Sequence, residues 1–239
     1  MIGAAVAFAF AIAFAVTPPR GPRSMRQFDP DRLASLEVRM WQAYYAKERA
    51  RLFTLLVTML HEQYRYSWAT ATIEAFHLAR AAATFGDLKS GYDVVLPDLE
   101  AAYSTAKSWL GAGFDPRAVA RAELAWWIAR RIPGQNSPEQ VGALIADEYA
   151  LLYETRRESV ASAARLRAEA AALRDGQAQH PDWDAIGRLL HQSYRDLLAA
   201  LSTVNVHHHS REKATAKHAE NSEKTISANS ASSAVASYS

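Results

Sequence analysis

The chain has 239 residues, 49% hydrophobic and 22% charged, so it is long enough to bury one sizeable core. Its formal net charge of +2 is too small to predict a nucleic-acid partner, and no dense basic run occurs in the part expected to fold. Because the chain contains no cysteine, disulfides, thiolate catalysis and cysteine-ligated zinc are excluded.

The first 24 residues differ from the rest of the chain. An uncharged apolar run over residues 2–16 is followed by a proline-rich stretch whose positive charges come after the run instead of before it. At about 1.5 Å per residue the run is shorter than a bilayer core of about 30 Å. This order favours a short membrane anchor, with the following domain cytoplasmic or on the cytoplasmic side, over a secretory signal. A misassigned start, with Met25 as the true first residue, is the alternative.

The middle of the chain, residues 25–205, is predicted to be one helical domain. From Leu33 onward the apolar residues recur at spacings of three and four, and no stretch shows the alternation typical of strands. The predicted fold class is therefore all-α, a helical bundle with flexible termini. The predicted helices cover residues 30–62, 66–85, 95–110, 115–131, 138–157, 158–174 and 182–202. An internal break in the long first helix is the alternative.

The helix starts carry clear sequence signals. Asp29 before Pro30, and Asp115 before Pro116, each combine a capping residue with a first-turn proline. Ser137 begins a third such start, with a glutamine three residues later that can complete a capping box.

Two of these starts belong to matching segments, which suggests an internal duplication. The fourteen residues "FDPDRLASLEVRMW" and "FDPRAVARAELAWW" lie 86 positions apart and share six identities. Further matches follow in the same order at nearly the same spacing. The sequence therefore predicts two repeat-like units of about three helices each, over residues 28–110 and 114–202.

The most unusual residues are glutamates on apolar helix faces. Glu37 and Glu123 each stand four residues before a tryptophan, and a buried carboxylate costs several kcal/mol unless it is paired, ligated or protonated. A metal ion is one candidate partner. Glu74 and His77 form a Glu-x-x-His pair similar to that of ferritin-like carboxylate bundles, although a second pair is missing. The candidate di-metal ligands are Glu37, Glu62, Glu74, His77, Glu123 and Glu148.

Arginine is the other candidate partner for the glutamates. Five arginines lie on adjacent predicted helices, and a guanidinium group can bridge carboxylates in a partly buried setting. With nearby tyrosines they would form a network that fixes helix register. They are Arg80, Arg130, Arg131, Arg165 and Arg167.

The preferred functional interpretation is a non-enzymatic interaction or structural module without a cofactor. Trp126 and Trp127 are adjacent on one helix, so their side chains diverge by about 100° and one of them is a candidate anchor for a protein partner or for self-association. Residues 206–239 are poor in large apolar side chains and are predicted to be a disordered tail. The alternative function is a carboxylate and histidine metal-binding bundle, either an oxidoreductase or a metal store.

Overall fold

A computed structural model describes residues 13–202 of the chain. The chain divides into two units at residue 200, and everything below concerns the first. All regular secondary structure in the described residues is helical, which confirms the predicted all-α class. Most of the predicted apolar leader and the predicted disordered tail lie outside the described residues. Among the described residues, no helix combines the length and apolar character needed to cross a bilayer.

Residues 13–16 are helical, and eight longer α-helices follow in the described part of the first unit. A short 3₁₀-helix, Tyr92–Val95, precedes the fourth of them. The helices are α1 (Pro30–Tyr45), α2 (Arg49–Tyr64), α3 (Trp68–Asp87), α4 (Leu96–Leu110), α5 (Pro116–Ala129), α6 (Pro138–Leu152), α7 (Arg157–Gly176) and α8 (183–200).

The predicted capping residues begin their helices as expected. The Asp29 side chain accepts hydrogen bonds from the amides of two first-turn residues of α1, Asp115 accepts one in α5, and Ser137 accepts one in α6. Each acceptor satisfies amides that have no partner inside the helix. The three starts are therefore fixed by local sequence.

The long helix predicted over residues 30–62 is broken in the structure into α1 and α2, as the alternative allowed. The chain breaks between α1 and α2, where Lys47 adopts a left-handed conformation with φ of 58°. The amide of Glu48 then bonds to the carbonyl of Ala43 at 2.8 Å, which satisfies a carbonyl left free by the end of α1. Continuous helical periodicity concealed this turn because both helices keep an apolar face.

The helices form a closed ring. Each one from α1 to α7 packs mainly against its neighbours in the chain. Ser193 of α8 donates a hydrogen bond to the carbonyl of Ala163 in α7, and His191 of α8 lies 2.9 Å from Asp31 of α1, so the last helix returns to the first. Such a ring leaves its core along the central axis.

The structure does not confirm the internal duplication. The ranges 28–110 and 114–200 each contain four described α-helices, where about three were predicted, because the first predicted helix is split in two. The sequence alignment also pairs Glu62 with Glu148, yet Glu148 is buried while the Glu62 side chain is 38% exposed. The two FDP segments do begin helices in the same way.

Candidate functional site

The centre of the helical ring contains a cavity of about 450 Å³. Side chains from all eight helices line it, and most of the wall is aromatic or aliphatic. Four glutamates also face it: Glu37 from α1, Glu74 from α3, Glu123 from α5 and Glu148 from α6. A cavity of this size, with a few polar groups in an apolar wall, has the character of a small-molecule site.

Glu37 is held by a buried ion pair. The Nε of Arg167 on α7 donates to Glu37 Oε1 at 3.0 Å, and the side chains of Glu37 and Arg167 are 4% and 16% exposed. Tyr194 and Trp41 also donate to this carboxylate. Burial acts to lower the pKa of Arg167, but Glu37 and other acidic groups raise it well above its ordinary value. This pair joins α1, α7 and α8.

Glu123 and Glu148 form a second acidic group. One hydroxyl, that of Tyr103, lies 2.8 Å from Glu123 Oε2 and 3.5 Å from Glu148 Oε1. The indole of Trp126 donates to the other oxygen of Glu148. Burial raises the pKa of both carboxyl groups, and repulsion from Glu148 raises that of Glu123 further, against opposing contributions from Tyr103 and Arg167. The pair therefore retains protons to a higher pH than exposed glutamates.

The same local arrangement occurs around Glu37 and Glu123. Tyr103 packs edge-on against Phe114 at 6.4 Å and donates to Glu123. Tyr194 likewise packs edge-on against Phe28 at 6.0 Å and donates to Glu37. Each FDP segment thus contributes a buried phenylalanine that orients the tyrosine reaching its own glutamate. This geometry accounts for the repeated Phe and Glu positions noted in the sequence.

Glu74 is the cavity glutamate with the fewest partners. Glu74 is only 5% exposed, and its Oε2 atom has no hydrogen-bond partner in the described part of the chain. Burial raises its pKa to about 8, and a hydrogen bond with Tyr66 only partly opposes this. A buried oxygen without a donor costs roughly 1–3 kcal/mol. Glu74 therefore places a carboxyl group in the cavity wall, with one oxygen that is unsatisfied and shielded from solvent.

Arginine and aspartate stand at one end of the cavity. Arg130 follows α5 and makes a bidentate contact of 3.0 to 3.1 Å with Asp175 near the end of α7. Arg130 also donates, at 2.7 Å, to the hydroxyl group of Tyr45, which is the last residue of α1. The C-terminal ends of α1, α5 and α7 meet here, so a guanidinium also complements their exposed carbonyl groups. This contact joins the ends of α1, α5 and α7 at the cavity wall.

The segment of residues 20–26 covers the ends of α2, α4 and α6. Arg26 donates to the main-chain carbonyl group of Tyr153, and the Arg23 guanidinium lies 3.9 Å from the Trp109 ring centroid. Met25 lines the cavity from this segment. Residues ahead of Met25 therefore pack on the helical unit in this structure.

Two of the six candidate metal ligands lie away from the cavity. Glu62 forms an exposed bidentate ion pair with Arg32, at 2.8 and 3.1 Å. His77 contacts Asp98 at 2.8 Å, and Arg80 binds the same carboxylate. Neither Glu62 nor His77 lines the cavity, because each faces outward from its helix. The structure brings together only the other four, Glu37, Glu74, Glu123 and Glu148.

No metal cluster is apparent in the geometry of the described residues. Among residues 13–202, no three histidine, aspartate or glutamate side chains lie close enough together to hold one ion. The arginine alternative is found at one carboxylate, since Arg167 pairs with Glu37. A metal site at the four cavity glutamates stays a prediction.

The tryptophan pair lies on the wall of the cavity. Trp126 is 5% exposed, and Trp127 packs against Phe85 with ring centroids 5.1 Å apart. Both line the cavity. Any binding role of these rings would therefore concern a molecule inside the ring of helices.

Comparisons of the chain with protein-family models, curated proteins and solved structures found no match.

Proposed function

We propose that this chain is a small-molecule binding protein whose ligand occupies the central cavity. This retains the non-enzymatic binding role expected from the sequence, but it moves the contact from the surface to the interior. The observation that carries the proposal is the cavity of about 450 Å³ with a buried, unpartnered glutamate oxygen in its wall. A ligand that donates a hydrogen bond to the Glu74 carboxyl group would offset part of the cost of burying it.

The energetics of the wall support this assignment. Four carboxyl groups around an apolar space are unfavourable for folding, because each costs free energy to bury. Only one of them, Glu37, is compensated by an ion pair with a guanidinium group. Residues that lower stability without a compensating contact are typical of functional sites.

Cavity filling provides the test. Ala102 lines the cavity and is 1% exposed, so Ala102→Leu reduces the space available to a ligand. Ala161 is exposed on α7, and Ala161→Leu is the matched control. A library of cationic, neutral and anionic fragments is screened by thermal shift. We expect at least one fragment class that stabilises the wild type and Ala161→Leu but not Ala102→Leu.

Two outcomes would overturn the proposal. One is that every fragment stabilises Ala102→Leu as much as the control. Circular dichroism verifies that Ala102→Leu is folded. If it is not folded, Ala82→Leu on α3, which also fills the cavity, takes its place. The other is stoichiometric iron, manganese or zinc in the purified protein, which would favour the carboxylate metal site.

A further inference from the structure

The cavity wall has more carboxyl groups than guanidinium groups. Five carboxyl groups and three guanidinium groups line it. Arg167 is in contact with Glu37, and Arg130 with Asp175. The third guanidinium, that of Arg131, belongs to an exposed residue and donates to a main-chain carbonyl group. The remaining three carboxyl groups therefore give the wall an excess of acidic groups.

The donors that reach two of these three carboxyl groups are neutral. Tyr103 serves Glu123 and Glu148, and Trp126 serves Glu148. The third carboxyl group, that of Glu74, is buried, since the residue is only 5% exposed. Its Oε2 atom receives no hydrogen bond from the described residues. An acceptor that is buried, acidic and unpartnered calls for a ligand that donates hydrogen bonds and carries positive charge.

The aromatic rings of the wall already accommodate cations. The guanidinium carbon of Arg167 lies 4.9 Å from the Trp126 ring centroid, and that of Arg130 lies 5.8 Å from the Trp41 ring centroid. Cations within about 6 Å of a ring face are attracted to it. The rings therefore provide further favourable contacts for a positively charged ligand.

Leucine and methionine side chains supply much of the remaining wall. They come from α1, α2, α3 and α6, and Met40, Leu56, Met59, Leu60, Leu78 and Leu152 are among them. These side chains favour a ligand with an apolar body, while the carboxyl groups favour a polar, charged end. A bare metal ion would leave most of this apolar surface without a contact.

From these observations we propose that the ligand is a protonated organic amine with an apolar body. Its ammonium group donates a hydrogen bond to the carboxyl group of Glu74, and Glu123 and Glu148 provide further carboxyl oxygens in the same cavity wall. This inference rests on the proposed function, because it requires the cavity to be the binding site. An inorganic cation is the competing occupant and is an outcome of the test.

The experiment compares probes that share a carbon skeleton. Phenethylamine, tryptamine and phenylbutylamine are titrated into the full chain by isothermal calorimetry, each beside its alcohol and carboxylic acid analogues. At least one amine is expected to bind about ten- to a hundredfold more tightly than its alcohol, as hydrogen bonds to a charged group imply. Glu74→Gln should remove this difference, because it keeps the shape of the side chain and abolishes its charge.

Two controls separate the possible results. Glu62→Gln removes an exposed carboxylate paired with Arg32 and should leave amine binding unchanged. Ala102→Leu should weaken the amine and the alcohol alike.

The amine inference is overturned if the amines bind no more tightly than the alcohols, or if the preference survives in Glu74→Gln. In either case, continued sensitivity to Ala102→Leu would leave the cavity as the binding site. If no probe responds to Ala102→Leu, the proposed function fails with the inference. Stoichiometric metal that Glu74→Gln removes would also overturn it.

Discussion

The buried carboxyl group of Glu74 predicts an unusual pH dependence of stability. Burial raises its pKa from 4.5 to about 8, so between these values the folded protein holds a proton that the unfolded chain has released. Because the unfolded state then binds fewer protons, the free energy of unfolding falls as pH rises through this window. Above the folded pKa both states are ionised, and the loss is complete.

The magnitude follows from the size of the shift. At about 1.4 kcal/mol per pH unit, a rise from 4.5 to about 8 corresponds to about 4 to 5 kcal/mol lost between acid and mildly alkaline pH. Glu74→Gln cannot ionise, so relative to wild type it should gain about this amount of stability across the window. Glu123 and Glu148 titrate in both proteins and cancel from the comparison.

Urea unfolding, followed by tryptophan fluorescence from about pH 5 to about pH 9, measures this difference. Glu62→Gln is the control, because it removes an exposed carboxylate. Parallel pH profiles for wild type and Glu74→Gln would refute the reasoning, since Glu74 would then not titrate as a buried group. A gain in stability by Glu74→Gln only below about pH 5 would have the wrong sign.

Three further predictions concern the ion pair, the helix packing and the coupling of binding to protons. Arg167→Met leaves Glu37 buried without its partner and should lower the free energy of unfolding, measured in urea, by about 3–5 kcal/mol. Arg165→Met removes only exposed ion pairs and should lower it much less, so equal losses in the two variants would contradict the prediction. Gly142→Ala places a Cβ 3.1 Å from the Arg165 Cα, so it should destabilise the folded protein by about 1–3 kcal/mol despite the better helix propensity of alanine. An unchanged melting temperature would count against close packing of α6 on α7. Amine binding near neutral pH should release protons, because Glu74 must ionise to receive the ammonium group; calorimetry in buffers of different ionisation enthalpy detects this, and buffer-independent enthalpies would contradict it.

Local signals were sufficient to predict the helices. The Asp-Pro starts at Asp29 and Asp115, and the serine cap at Ser137, begin helices where the sequence placed them. The position of the break after Tyr45 was not predicted, because a left-handed turn at a lysine has no composition signal. The closed ring could not be predicted either, since it depends on which helices are neighbours.

The site was only partly predictable. A carboxylate on an apolar helix face was a sound indication of burial for Glu37, and both Glu37 and Glu123, which share their spacing to a tryptophan, line the cavity. Glu62 was placed with them by alignment of the two segments, but its helix turns it toward solvent and Arg32. The choice of Arg167 over Arg165 as the buried partner depends on the rotation of α7, which periodicity in an alanine-rich helix determines poorly.

A crystal structure of the protein with a bound amine would test the central claim most directly. With tryptamine as the probe, electron density for the ligand is expected inside the ring of helices, with its nitrogen within hydrogen-bond distance of the Glu74 carboxyl group. Density for tryptamine only on the outer surface, with Glu74 contacting other side chains, would contradict it.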